Sequence, residues 1–344
     1  MLIIRTPFRI SFFGGGTDYP VWYRQNGGAV LGTTIDKYCY ITCRYLPPFF
    51  EHKHRIVYSI SELVQEVDEI HHPSVRETLK YMGITEGVEI HHDGDLPART
   101  GLGSSSAFTV GLLHALYALK GTMPTKMQLA KDAIYVEQEL IGENVGSQDQ
   151  TLAAFGGLKH IYFNGNDNVH VEPVVMKPAR LESLQNHIML FFTGFSRTAS
   201  QIAKEQIKET PHKKKELHEM HEMVDEGVNI LVGDTDITEF GQLLHRSWQL
   251  KRSLSNKITT PYIDYLYDAA INAGATGGKI LGAGGGGFML FFVKPELQPK
   301  VAESLPGLLH VPFRFENSGS QIIFYETDTQ YTQVQTEEVL CPKS

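Results

Sequence analysis

Apolar and β-forming residues crowd the run from Leu2 to Phe13, which predicts a first strand ending on Gly14-Gly15-Gly16-Thr17-Asp18. Polar and apolar positions alternate through Ala29 to Ile35 and Tyr38 to Leu46, and predict two further strands. Ser59 to Val67 and Ser74 to Met82 each begin with a serine followed three residues on by a glutamate. That spacing lets the two side chains cap a helix start, so both segments are expected to be helices. Gly87 to His91 is strand-like and is followed by a polar turn, His92 to Asp95. Phe108 to Leu119 is long and apolar enough for a buried helix.

Thr125 opens a helix predicted to run to about Ile141, with Ala130, Ala133, Ile134, Glu137 and Leu140 on its inward side. Gly142 to Gly146 breaks it, and Ser147 caps a short helix with Asp149 in its first turn. Leu158 to Glu172 predicts a hairpin around Asn164-Gly165-Asn166-Asp167. Pro173 to Pro178 is the expected domain boundary, and a strand from His187 to Thr193 follows. Helices are then predicted to Lys208, from Pro211 with Leu217, Met220, Val224, Val228 and Leu231 as its stripe, and near Ile237 to Leu254 and Pro261 to Ala273. Gly277 to Val293 reads as strand, glycine loop, strand, and one or two more strands and a polar tail are expected after it.

The 344 residues allow a sizeable core and two domains. The apolar content of 42% and charged content of 20% fit a globular chain. No run is long enough to span a bilayer, and three cysteines, Cys39, Cys43 and Cys341, form neither a disulfide framework nor a zinc pattern. A cytoplasmic setting without membrane is therefore expected. The formal net charge of -8 argues against nucleic acid as a partner. His212, His218 and His221 have the wrong spacing for a two-histidine zinc helix and are expected to be solvated.

Candidate chemistry begins at Leu96-Pro97-Ala98-Arg99-Thr100-Gly101-Leu102-Gly103-Ser104-Ser105-Ser106-Ala107, directly before the apolar helix. A glycine loop feeding a helix start directs unpaired N–H groups and the positive end of the helix dipole at one spot, which suits phosphate. The same serines could instead cap a core helix. Asp18 is either a turn residue bonding its own backbone or a carboxylate offered to sugar hydroxyls. Glu137 is either at a solvated helix edge or aimed at a cation, and Asp149 fits the first turn of any helix. The Gly284 to Gly287 run marks either close packing of two elements or a loop over a ligand.

The order of these pieces is more specific than any one of them. Arg9, Gly16-Thr17-Asp18, the Pro97 to Ala107 loop, Glu137, Asp149 and the late glycine loop resemble the GHMP kinases, the family of galactokinase, homoserine kinase, mevalonate kinase and phosphomevalonate kinase. The resemblance covers essentially the whole chain. It implies an α+β, two-domain fold: a domain like ribosomal protein S5 domain 2 over residues 1–175 and a ferredoxin-like domain over 176–344. It further implies that ATP lies on Pro97, Gly101, Leu102, Gly103, Ser104, Ser105 and Ser106, with Mg²⁺ on Ser105 and Glu137. Asp149 would accept the proton of the attacking hydroxyl beside Arg9. Asp18, Thr17, Gly16, Gly15 and Gly285 would surround the substrate.

Such roles suit phosphoryl transfer, which needs positioning and charge neutralisation more than strong basicity. The loop lacks the Gly-Lys-Ser/Thr of the Walker motif, and Gly101-x-Gly103 lacks the third glycine of a dinucleotide fingerprint. Galactokinases usually carry Gly-Glu-His before Thr-Asp, whereas this chain has Gly14-Gly15-Gly16. That form, with Gly146-Ser147-Gln148-Asp149-Gln150, is most similar to the heptose 7-phosphate kinases of the family, which phosphorylate the anomeric hydroxyl; fucokinases share the triple glycine. Lys37, Arg44 and Arg197 are candidates for holding a substrate phosphate. A kinase for an unphosphorylated sugar, or a non-catalytic sensor on the same scaffold, are the competing expectations.

Overall fold

The computed structural model describes residues 1–165, 168–194 and 199–326. A first sheet is built from β1 (Leu2–Phe13), β2 (Gly28–Tyr45), β3 (His54–Val57), β4 (Ser61–Val64), β5 (Val88–Gly94), β6 (Lys159–Asn164) and β7 (Asn168–Pro173). β1 and β2 lie antiparallel from the Leu2–Cys43 pair to the Phe13–Leu31 pair, so every long neighbour hangs on this ladder. The two strands expected between Ala29 and Leu46 are one: β2 runs unbroken through Asp36 and Lys37. The polar His92–Asp95 segment is likewise not all turn, because β5 continues along β2 to Gly94.

The second sheet contains β8 (Ile188–Phe192), β9 (Ala275–Ile280), β10 (Phe288–Val293) and β11 (Leu309–His310), all antiparallel in the order β11-β8-β10-β9. The chain then returns to the first sheet, where β12 (Phe315–Glu316) pairs with β2 and β13 (Gln321–Tyr325) with β1. The expected division at 175/176 thus needs amendment, since residues 315–325 complete the first sheet.

The helices are α1 (Pro20–Asn26), α2 (Pro73–Tyr81), α3 (Ser104–Leu119), α4 (Lys126–Tyr135), α5 (Gln148–Phe155), α6 (Pro178–His187), α7 (Ala199–Glu209), α8 (Lys214–Val232), α9 (Thr238–Leu254), α10 (Pro261–Ala273) and α11 (Gln298–Ser304). α3 is apolar on nearly every side and packs on β1 and β2, so its N-terminus is fixed against the sheet. Phe240 of α9 meets Phe12 and Phe13 edge-on at 5.3 and 5.0 Å, which fastens α9 to the end of β1. Among the described residues no helix is long and apolar enough to cross a membrane.

Two helix expectations are corrected. Ser59–Val67 is not helical but contains β4 and a short 3₁₀ turn. Glu62 does not cap a helix there; it accepts the Tyr58 hydroxyl and the His71 and His72 amides, which fixes the start of α2 instead. The predicted Thr125–Ile141 helix starts as expected, with the Thr125 hydroxyl accepting from Gln128 N, but Val136–Leu140 widens into a π-turn. The extra residue shifts the inward face, so Val136 and Glu137 are buried while Leu140 is exposed.

Candidate active site

The loop before α3 is held in a shape that only its glycines adopt readily. Gly101 and Gly103 have φ of 87° and 74°, and Gly103 leads straight into the first turn of α3. The Thr100 hydroxyl donates to Pro97 O at 2.7 Å, and Arg99 N donates to the Ser104 hydroxyl at 3.1 Å. The late glycine loop packs directly on this turn. A Cβ on Gly282 would lie 2.5 Å from Gly101 Cα, and one on Gly287 would lie 2.2 Å from Thr100 O. Of its two readings, close packing is therefore required; Gly282 and Ala283 also border the cavity, whereas the amide of Gly285 is spent on Ile258 O.

Arg9 on β1 points at the same place. Its Nε and Nη2 donate to Asp149 Oδ1 and Oδ2 at 2.7 and 2.6 Å, and Nη1 donates to Gly101 O at 2.6 Å. The guanidinium is 4% exposed and the Asp149 side chain 24% exposed, so the carboxylate is gripped from behind and open in front. Ser147 stands before α5 as expected, but without a side-chain cap; its hydroxyl contacts Gln138 instead. Gly103 is bare where this pair sits, since a Cβ there would lie 3.0 Å from Arg9 Cγ and 3.4 Å from Asp149 Oδ2.

Asp18 lies beside the start of α5. It accepts from Gly16 N at 2.9 Å and Gln148 N at 3.3 Å, and its own carbonyl accepts from Ser147 N. Only a glycine fits at 146, because a Cβ there would lie 1.9 Å from Asp18 Oδ2. Burial pushes the Asp18 carboxyl above the usual carboxylate range, and the charge of Asp149 adds to the shift. Thr17 faces away and bonds the carbonyls of Gly14 and Ala29, a structural role.

Glu137 is brought under the serines by the π-turn. Its Oε2 accepts from Ser106 Oγ at 2.8 Å and from Gln150 Nε2, while its buried Oε1 has no hydrogen-bond partner. Burial pushes its pKa up to about 7. Of the loop serines Ser105 and Ser106, Ser106 is buried against Glu137 and bonds it, whereas Ser105 is exposed at the cavity rim. Among the described residues no cluster of histidine, cysteine and carboxylate side chains suits a metal on its own.

Arg9, Gly15, Gly16, Asp18, Gly101, Gly103, Ser104, Ser105, Ser106 and Asp149 line one cavity of about 210 Å³. Pro97 and Leu102 do not line it: Pro97 O accepts the Thr100 hydroxyl, and Leu102 is buried with its carbonyl accepting from Arg9 N. Lys37 and Arg44 do not line it; they pair with Asp36 and Glu89, and Arg197 lies outside the described residues. The cations that the motifs missed are Lys251 and Lys279, both buried and both lining the cavity. Burial lowers Lys251 to about 8. A signal existed: Lys251 interrupts the apolar stripe of Leu244 and Trp248, and Lys279 sits inside the glycine-rich apolar strand β9.

Comparison with known proteins agrees with this geometry. Residues 69–157 match the family described as GHMP kinases N terminal domain, and residues 229–309 match GHMP kinases C terminal. The chain is 29% identical over 318 residues to a D-glycero-alpha-D-manno-heptose 7-phosphate kinase of Campylobacter jejuni, covering 88% of this chain and 92% of that protein. It is 23% identical to a bifunctional fucokinase/GDP-fucose pyrophosphorylase of Arabidopsis thaliana, covering 85% of this chain but 30% of that protein. A crystal structure described as a D-glycero-D-manno-heptose 1-phosphate kinase from Bacteroides thetaiotaomicron superposes with a TM-score of 0.77 at 24% identity, over 95% of this chain and 100% of that one.

Proposed function

We propose that this chain, which belongs to the GHMP kinase family, is an ATP-dependent sugar kinase. In this reading it phosphorylates the anomeric C1 hydroxyl of D-glycero-D-manno-heptose 7-phosphate, giving the 1,7-bisphosphate used for nucleotide-activated heptose and surface polysaccharide. The observation that carries the reading is the Arg9–Asp149 fork at the mouth of the α3 loop, with Asp18 beside it. The Campylobacter relative and the Gly15–Gly16 backbone lining the cavity support the choice of sugar.

The residues fit ATP: the positive-φ loop and the start of α3 present amides and serine hydroxyls to phosphate oxygens. They also fit a divalent cation, because Glu137 Oε1 is buried without a partner. Glu137 and Ser106 would hold Mg²⁺, with Ser105 at the rim, and the ion would supply neutralisation of phosphate charge. Asp149 accepts the proton of the attacking hydroxyl, and Arg9 holds both of its oxygens in one orientation. Asp18 accepts hydrogen bonds from sugar hydroxyls, which positions the acceptor.

ATP consumption across a panel of the heptose 7-phosphate, sedoheptulose 7-phosphate, L-fucose, D-galactose and D-mannose tests this reading. Turnover of the heptose 7-phosphate with a new anomeric phosphate by phosphorus NMR is expected. Turnover of free sugars alone would contradict the substrate, and ATP binding with no turnover would favour a sensor.

A further inference from the structure

Two buried cations in the cavity have no part in the chemistry above. Lys251 on α9 is 5% exposed and Lys279 on β9 is 2% exposed. An ammonium group carries three N–H donors. Lys279 Nζ spends one on Phe12 O at 2.8 Å, and Lys251 Nζ spends one on Gly282 O. The neighbouring carboxylates are engaged elsewhere, Asp149 by Arg9 and Asp18 by the amides of Gly16 and Gln148. Lys251 and Lys279 are close enough to repel each other. Burial and their mutual repulsion oppose the charged form of both lysines, and an anion between them would favour it.

Their position points to the acceptor. Lys279 reaches across from the second sheet to Phe12, two residues before the Gly14–Asp18 loop. On that side Gly15 and Gly16 line the cavity and bring polar side chains close to their backbone. A Cβ on Gly16 would lie 2.7 Å from Gln206 Nε2, and one on Gly15 would lie 3.6 Å from Gln148 Nε2 and Ser11 Oγ. Ser11 Oγ is buried without a partner, so this wall holds further unspent donor capacity. Lys251 reaches the same cavity from Gly282, which packs on Gly101, so the two lysines span from the α3 loop to the Gly14–Asp18 loop.

We propose that Lys251 and Lys279 bind the phosphate carried by the acceptor itself, so that the site selects phosphorylated over free sugars. The proposal rests on the kinase reading above and adds the residues that recognise the second charge. The test is calorimetric binding and kcat/KM for D-glycero-D-manno-heptose 7-phosphate and for the same heptose without its phosphate. Wild type, Lys251→Met and Lys279→Met are compared, with Lys279→Gln as a second variant. Methionine replaces each ammonium with an apolar chain of similar length, so folding is retained.

Wild type should prefer the phosphorylated sugar by about a hundredfold, and each methionine should cut that preference about tenfold. A preference unchanged in every variant, or none in wild type, would overturn the proposal. Preferential binding that the variants lose, without phosphoryl transfer to either sugar, would uphold the anion site and sink the kinase reading.

Discussion

Arg9 and Asp149 meet fork to fork, with parallel hydrogen bonds of 2.7 and 2.6 Å between residues 140 positions apart. The third arm of the same guanidinium bonds Gly101 O at 2.6 Å. One side chain thus ties the first strand, the start of α5 and the loop before α3 into a single unit. Bidentate, charge-assisted pairs fix direction as well as energy, and a lysine cannot reproduce the planar fork. The orientation of Asp149 is therefore set by the fold before any ligand arrives.

The packing of the two glycine loops predicts the effect of one methyl group. Gly287 has a φ of 101°, and its Cβ would fall 2.2 Å from the carbonyl oxygen of Thr100. Gly287→Ala should destabilise the protein by about 2 kcal/mol or more and weaken ATP binding, because the displaced atom belongs to the loop backbone. Denaturant midpoints and nucleotide titration measure both. Unchanged values would mean that the loops do not depend on each other.

The two neighbouring serines should separate. Ser106→Ala removes the donor that holds Glu137, whereas Ser105→Ala removes an exposed hydroxyl. The Mg²⁺ concentration for half-maximal rate should rise about tenfold in Ser106→Ala and less in Ser105→Ala. The opposite order would return the metal role to Ser105.

Glu137 makes a prediction about pH without any substrate. Its pKa is about 7 in the folded protein against 4.5 for the ordinary group, so the folded state holds the proton more tightly. The associated stability is full below about pH 4.5 and is lost as pH rises through 7, a change of about 3 kcal/mol. Relative to Glu137→Gln, cation-free wild type should lose this much between about pH 5 and 8, and Mg²⁺ should restore part of it at the upper end. Parallel urea-unfolding profiles for the two proteins would contradict the burial of this carboxyl.

Much of this site was legible in the chain because its pieces are local. The span of β1, the apolar α3, the start of α4 at Thr125, α10 and both glycine loops follow from runs, caps and glycines that need no distant partner. What was not legible depends on tertiary contact. The Ser59/Glu62 spacing looks like a cap, yet Glu62 serves amides nine and ten residues further on. The π-turn at Val136–Leu140 changes the period midway, so Glu137 faces inward as its spacing predicts but Leu140 turns out. Lys37 and Arg44 look like free cations in sequence but are claimed by Asp36 and Glu89, while Lys251 and Lys279 look ordinary and are buried in the cavity. Composition cannot tell which lysine lacks a carboxylate.

The central claim is that the Arg9–Asp149 pair beside the α3 loop is a phosphoryl-transfer centre, and Asp149→Asn tests it most directly. The substitution keeps the size of the side chain but removes the charge and the proton acceptor. Turnover of heptose 7-phosphate should fall by about a hundredfold or more, with ATP affinity within about twofold of wild type. Near-normal turnover in this variant would remove Asp149 from the mechanism and contradict the account.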